Sequence, residues 1–390
     1  MKDKKLLFSF ILLLGLTSCD SISLSSLFNF NSSSSSSSIS SDESHSDENI
    51  IDGDLQFHFL ELGNQFTGDC TYIKAGELDI LIDAGSRSGS AETIQSYVNQ
   101  YCSDGKLEYV ISTHAHQDHI AGFVGNKKNK DNKTPTNFKG ESVERTGIFY
   151  YYQIDNLIEF SKTDVTSALY ENYKQARDTN IKAESIFTAD KVAKTTYTLT
   201  STISMTILDN YFYYNKSNDE NNYSVCVMFS QTNEDNTNNY ILTGDLEKAG
   251  EEYLVEMNTL PKVKLYKGGH HGSPTSSNDC LLNVIQPQIC AVCCCAGSDE
   301  YTKNLDNQFP SQDFINRISK WTDKVFVTTV INNDPNSIVK YQSLNGNIII
   351  SSYGKVVNIS CSNNNTILRE SSWFNSLRED NTPMRIWPDE

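Results

Sequence analysis

The chain of 390 residues is 38% hydrophobic and carries 49 Asp and Glu against 32 Lys and Arg, a formal net charge of −17. An acidic excess on that scale opposes charge-driven binding to nucleic acid or an anionic membrane, both of which rely on Lys and Arg. A locally basic or metal-centred site stays open, and the apolar content suffices for one large core or two small domains.

Lys2, Lys4 and Lys5 precede an apolar run over residues 6–16, which ends in Leu16-Thr17-Ser18-Cys19. A basic start, a short apolar core and small residues before a cut site describe an export signal. A run of about eleven residues is short for a membrane-spanning helix. The cysteine directly after that core resembles the lipobox of bacterial lipoproteins. The resemblance implies a signal peptide over 1–18, cleavage before Cys19 and lipid on its thiol; an uncleaved anchor or a simple secreted chain is the plainer alternative. Residues 32–38 are an unbroken serine run and residues 42–54 are acidic. Neither has apolar surface to offset ordering entropy, so 19–54 is expected to be a disordered tether.

From residue 55 the pattern reads as strands, a helix, then strands again, with no internal repeat evident. Phe57 and Phe59 alternate with Gln56 and His58, the period of a strand. Residues 70–75 and 78–82 form two more strands joined at Gly76-Glu77. Ser90 is placed to cap a helix carrying Ile94, Tyr97, Val98 and Tyr101 on one face. Residues 107–112 are a short strand, 124–145 a long polar loop, 147–157 an aromatic strand and 165–190 helical. Strands follow at 201–208, 224–229, 240–242, 263–266, 324–330, 347–351 and 356–360, with a helix at 312–321. The domain is drawn at 55–361, leaving 362–390 as a polar tail without an assigned role. Of ten cysteines, Cys19 is taken by lipid, so at least one of the remaining nine is unpaired. Cys293, Cys294 and Cys295 sit in an apolar run; consecutive strand residues point to opposite faces, so they are core residues rather than one metal site.

The chemistry concentrates in Thr113-His114-Ala115-His116-Gln117-Asp118-His119, where three of the seven histidines lie. Imidazole and carboxylate are the ligands of a borderline divalent ion such as zinc. Two histidines at i and i+2 on a strand end point the same way, and a following turn brings Asp118 and His119 to a neighbouring position. One short loop thereby feeds two adjacent sites. Later strands end at Asp245 and at the pair His270-His271. His45 and His58 read as surface or structural residues, Ser273 equally as substrate donor or helix cap, and Lys127, Lys128 and Lys130 as solvated loop residues.

His114-x-His116-x-Asp118-His119 matches the HxHxDH signature of the metallo-β-lactamase superfamily in full. Leu81-Ile82-Asp83-Ala84-Gly85 resembles the family's strand-ending LIDxG, Leu242-Thr243-Gly244-Asp245 its GD strand end, and Lys267-x-x-His270-His271-Gly272-Ser273 the HHGS of one branch. That branch contains the hydrolase domain of ComEC-type DNA-uptake proteins and their stand-alone relatives. Gly68-Asp69 is similar to its opening GxGD, although residues 64–67 depart from it; residues 221–225 and 307–310 are similar too. The resemblance implies that His114 and His116 hold a first zinc, Asp118 and His119 a second, and that Asp245 bridges them. His270 or His271 completes the second site, with His270 favoured as nearer the preceding strand. Asp83 orients ligands through hydrogen bonds. Such ions bring a bound water's pKa towards about 7 and, about 3.5–4 Å apart, hold both nucleophile and substrate oxygen; Asp118 is positioned to orient that nucleophile. Members with a full first site use a further histidine between these motifs, and none lies between His119 and Asp245. One or two ions are therefore expected, zinc first and manganese second.

The expected fold is α/β, a four-layer αββα sandwich of two mixed sheets with helices outside. The expected function is zinc-dependent hydrolysis of a phosphodiester, DNA included, outside the cytoplasmic membrane, with membrane lipid met through Cys19 and no obligate protein partner. Hydrolysis of a small ester, lactone or amide is a second reading, and a non-catalytic metal- or ligand-binding lipoprotein a third.

Overall fold

Apolar alternation sets the first strands in a computed structural model that describes residues 55–388 apart from 235, 333 and 335. The expected signal 1–18, Cys19, the tether 19–54 and His45 lie outside the described residues. In β1 (Leu55–Phe59), Phe57 reaches Phe229 (ring centroids 5.4 Å) and Tyr240 (4.8 Å) across the core, while His58 turns the other way under Tyr97 and Tyr101. Burying a side chain such as Phe57 contributes about 1.5–3 kcal/mol. β2 (Thr71–Ala75) and β3 (Leu78–Ile82) are joined at Gly76-Glu77, with Gly76 at φ +59°, a left-handed position suited to glycine.

β4 (Lys106–Ser112), β5 (Gln153–Glu159) and β6 (Ile186–Thr188) then add in parallel. The second sheet takes the next eight strands: β7 (Thr196–Thr198), β8 (Ile203–Ile207), β9 (Val227–Asn233), β10 (Asn236–Leu242), β11 (Leu265–Lys267), β12 (Ile289–Ala296), β13 (Val325–Ile331) and β14 (Tyr341–Ser343). β15 (Ile348–Tyr353) and β16 (Val356–Cys361) return to the first sheet. The orders are β16-β15-β1-β2-β3-β4-β5-β6 and β14-β13-β12-β11-β10-β9-β8-β7. Each sheet holds a run of parallel pairs, β3 to β6 and β10 to β13, beside an antiparallel run, a repeat of topology without a visible repeat of sequence.

Both sheets are mixed, and helices cover their outer faces. Helices Ser90–Val98, Gln117–Val124 and Ala168–Asn180 bury Ile94, Ile120, Phe123 and Tyr173 on the first; Lys248–Met257, Asp279–Ile285 and Gln312–Ile318 bury Leu254, Leu282 and Phe314 on the second. This is the four-layer αββα arrangement. Cys293 joins the core between the sheets and Cys294 the core under the outer helices, so both faces of β12 are buried; all nine cysteines from Cys70 to Cys361 are free thiols.

Two local expectations are corrected. The aromatic run after Gly147 begins as one helical turn, Ile148–Tyr151, because that lets Phe149 stack on Phe123 at 4.6 Å; the strand starts at Gln153. The helix expected over 165–190 stops at Asn180, and Ile186–Thr188 extends away to pair with β5, tertiary pairing overriding local propensity. The segment 362–388 is packed: Leu368, Trp373, Phe374 and Arg385 are buried.

Candidate metal centre

The parallel runs decide where chemistry gathers. β3, β4, β10 and β11 end at the same edge of the sandwich, delivering Asp83, the segment from His114 to His119, Asp245 and His270-His271. β2 and β9 run antiparallel to these neighbours, so the residues just before them, Asp69 and Ser224, arrive at that edge too. Ligands outside the carboxyl ends of parallel strands are the general pattern of α/β sheets. Backbone bonds lace the loops: Asp69 N–H donates to Asp118 O (3.0 Å), Gly85 N–H to Asp69 O (2.7 Å), Ala84 N–H to His119 O (2.8 Å) and Gly122 N–H to Ala84 O (2.7 Å). Gly122 is required there, since a Cβ would stand 2.2 Å from Ala84 O.

The imidazoles are fixed from behind. Asp83 Oδ1 accepts from Thr113 N–H (2.8 Å), and its Oδ2 accepts from Thr113 Oγ1 (2.7 Å) and His119 Nδ1 (2.7 Å). His271 Nδ1 donates to Cys293 O (2.9 Å) and lies 3.1 Å from Asp69 Oδ1. With both Nδ1 atoms occupied as donors, the Nε2 lone pairs point inward. His119 Nε2 is 3.0 Å and His271 Nε2 3.1 Å from the same atom, Asp245 Oδ2, and Asp118 Oδ2 is 3.4 Å from His271 Nε2. All four residues are buried, and His271 Nε2 makes no hydrogen bond. Lone pairs of imidazole and carboxylate at such distances repel unless protons or a cation stand between them. Burial pulls the histidines down, but Asp245 with Asp83 or Asp69 outweighs it and holds His119 and His271 well above 6.5. Asp118 is held well below the usual carboxylate range, His271 and His119 overriding the upward push of burial. Buried nitrogen and oxygen donors of this kind fit a borderline divalent cation.

His114 and His116 form a second pair beside this one. His114 Nε2 and His116 Nδ1 are 3.0 Å apart, and the His114 and His119 ring centroids are 4.1 Å apart. Burial, first of all, drives His114 well below 6.5, so it is a neutral donor. Among the described residues no imidazole from outside the 114–119 segment meets this pair. Ser224 Oγ stands 3.5 Å from His114 Nδ1, and Glu220 Oε1 accepts from Ala115 N–H (3.4 Å).

The family model described as "Metallo-beta-lactamase superfamily" matches residues 63–137, the stretch running from the Asp69 loop through the whole histidine motif. Residues 63–137 thus carry a match to the metallo-β-lactamase superfamily. The chain is 32% identical over 108 residues to ComE operon protein 3 of Bacillus subtilis, covering 27% of this chain and 12% of that protein. It is 36% identical over 59 residues to Recombination protein 2 of Haemophilus influenzae, covering 15% of this chain and 7% of that protein. The chain thus matches only a small part of the length of either relative. Among solved structures it is similar to the metallo-β-lactamase SMB-1 bound to 2-mercaptoethanesulfonate, with 11% identity, a TM-score of 0.28 and coverage of 50% of this chain and 62% of that one. A B3 metallo-β-lactamase with an active-site glutamic acid gives 11% identity, a TM-score of 0.25 and coverage of 75% and 81%.

Within the metal centre the preference for His270 is corrected. His270 and His271 have φ of +46° and +55°, so the backbone winds left-handed and nearness to β11 does not set direction. His271 turns inward. His270 keeps 19% of its side chain exposed, lies 3.9 Å from Asp245 Oδ2 and pairs instead with Glu247 Oε1 at 3.3 Å. Burial would raise Glu247; His270 and Thr275 outweigh it and hold the carboxyl at about 2. Ser273 caps no helix: its Oγ lies 2.8 Å from Thr275 Oγ1. Lys127, Lys128 and Lys130 are exposed in the loop after the helix Gln117–Val124.

Three contributors to this domain's site escaped the sequence. Asp69 meets the Nδ1 sides of His271 and His119, away from Asp245, so it orients imidazoles rather than facing the inner atoms. Lys267 is buried, ion-paired with Asp69, 3.4 Å from Asp245 Oδ1 and 3.1 Å from Gly244 O; it occupies one oxygen of Asp245 and leaves Oδ2 to the histidines. Tyr301 OH donates to Asp118 Oδ2 at 2.6 Å from a loop 183 positions away. The Gly68-Asp69 motif was a signal for the first and the Lys267-x-x-His270 spacing for the second; Tyr301 had none.

Proposed function

We propose that this domain is a zinc-dependent phosphodiesterase, held outside the cytoplasmic membrane by lipid on Cys19. The observation that carries the metal-dependent reading is the convergence of His119 Nε2, His271 Nε2, Asp118 Oδ2 and Asp245 Oδ2 with both tautomers set from behind. His119, His271, Asp118 and Asp245 would hold one ion, and His114 with His116 an adjacent one, manganese being the other candidate. A bound divalent ion supplies Lewis acidity and lowers the pKa of water. The chain's own part is to aim these donors, to keep bulk water from the buried imidazoles and, through Asp118, to orient a nucleophile at the mouth.

The phosphodiester preference rests on the HHGS-type segment at His270-His271-Gly272-Ser273 and on the stretch shared with ComE operon protein 3 and Recombination protein 2, which together resemble the ComEC-type branch. The net charge of −17 predicts weak retention of DNA. The test is to measure zinc and manganese per chain in purified protein, then hydrolysis of bis(p-nitrophenyl) phosphate, single-stranded DNA and a lactone. Metal-dependent cleavage of the phosphodiesters, lost in Asp118→Asn and His116→Ala, is expected. Cleavage of the lactone alone would overturn the substrate class, and a chain without bound metal the whole reading.

A further inference from the structure

The loop over residues 297–310 follows β12 at the metal edge and is pinned on three sides. Glu300 Oε1 pairs with Arg87 at 2.7 Å, and Glu300 Oε2 accepts from Thr67 N–H at 2.9 Å. Behind, buried Arg385 donates to Gln308 O (2.6 Å) and Pro310 O (2.9 Å). Within it, the Tyr301 ring packs on Phe309 at 5.4 Å, and Phe309 lies against His271 at 6.0 Å. So held, Tyr301 places its hydroxyl on Asp118 Oδ2 while 51% of the residue stays exposed. A phenol with one edge on the inner carboxylate and the other in solvent stands where a substrate must enter.

We propose that Tyr301 is a catalytic residue, the donor to the oxygen that leaves in the hydrolysis proposed above, on which this inference rests. The attacking water adds its oxygen to phosphorus, and the bond from phosphorus to the leaving oxygen breaks with its electron pair going to that oxygen. Tyr301 gives its proton to the leaving oxygen. The proton shed by the water leaves to solvent, and the phenolate takes a proton back from solvent on the exposed side of Tyr301. One water is consumed, and Asp118 and Tyr301 end as they began.

The test is Tyr301→Phe in the full chain, which keeps the ring on Phe309 and removes only the hydroxyl. It is assayed on two phosphodiesters that differ in leaving group, p-nitrophenol and phenol, with metal content and melting temperature measured alongside. General acid help contributes about 10²–10⁴-fold where the leaving group is basic and far less where it is already stable as an anion. The expected result is a fall in kcat of about 100-fold on the phenyl ester, less than about threefold on the p-nitrophenyl ester, with metal content unchanged. Equal losses on both esters, or none on either, overturn the role of Tyr301 while leaving the hydrolase reading intact. Wild-type protein inactive on both esters overturns the hydrolase reading and this role with it. If Tyr301→Phe loses metal or folds poorly, Glu300→Gln, which loosens the same loop but keeps the hydroxyl, decides: a loss independent of leaving group there, against a dependent one in Tyr301→Phe, still supports the donor, and matching patterns refute it.

Discussion

Replacing Asp83 by Asn changes one atom and reverses a tautomer. Asp83 has φ +59°, a conformation Asn tolerates, so the fold should accept Asp83→Asn. Its Oδ1 can still accept from Thr113 N–H. The amide nitrogen that replaces Oδ2, however, donates where His119 Nδ1 now donates at 2.7 Å. His119 must then accept at Nδ1 and carry its proton on Nε2, 3.0 Å from Asp245 Oδ2, where the inward lone pair had been. Removing partners behind a metal-binding histidine typically weakens the metal about 10–100-fold, or about 1.4–2.8 kcal/mol. Because the change here also blocks the ligating atom, the upper end is expected. Competition titration of zinc against a chromophoric chelator, with thermal melting in chelator as the control for folding, measures it. Zinc affinity within twofold of wild type in a folded Asp83→Asn protein would refute the tautomer argument.

Three other outcomes follow from the geometry. His271→Ala should lose metal by at least tenfold in affinity, whereas His270→Ala should lose less, because of these two only His271 sends a buried nitrogen to Asp245; equal effects in the same titration would contradict this. Gly122→Ala drives a Cβ to 2.2 Å from Ala84 O and should destabilise by about 1–3 kcal/mol, read as a lower urea midpoint, and an unchanged midpoint would show the helix free to shift. Glu251, buried and accepting from Ser277 N–H, Asn278 N–H and Asn278 Nδ2, is pushed up from 4.5 to about 7, mainly by burial. Its neutral form is favoured in the fold, so the stability it contributes is present in full below pH 4.5 and is lost as pH rises to about 7, a swing of about 3 kcal/mol. The stability difference between wild type and Glu251→Gln should therefore shift against wild type across that window; a pH-independent difference in urea unfolding would sink the argument.

The six-residue motif was legible because its parts are local. His114, His116, Asp118 and His119 are placed by one strand end and the turn after it, so spacing alone predicts their company. Asp83 and Asp245 were legible as strand ends, and the hairpin at Gly76 as a turn. Helix and strand lengths were legible only where burial was amphipathic: the run 186–188 is short enough to be either, and pairing with β5 decided it.

The sequence by itself determined that a chain of this composition carries histidines and carboxylates at ligand spacing on the ends of apolar strands, since those are consequences of residue type and of the two-residue strand period. The tertiary structure alone decided which of His270 and His271 faces inward, because left-handed backbone at both positions separates order along the chain from direction in space. It also decided that Asp69, Lys267 and Tyr301 attend the site and that Arg385 braces the loop carrying Tyr301. Those contacts join positions far apart in sequence, and only the shared edge of two sheets, with parallel strands ending together, brings them within hydrogen-bonding distance.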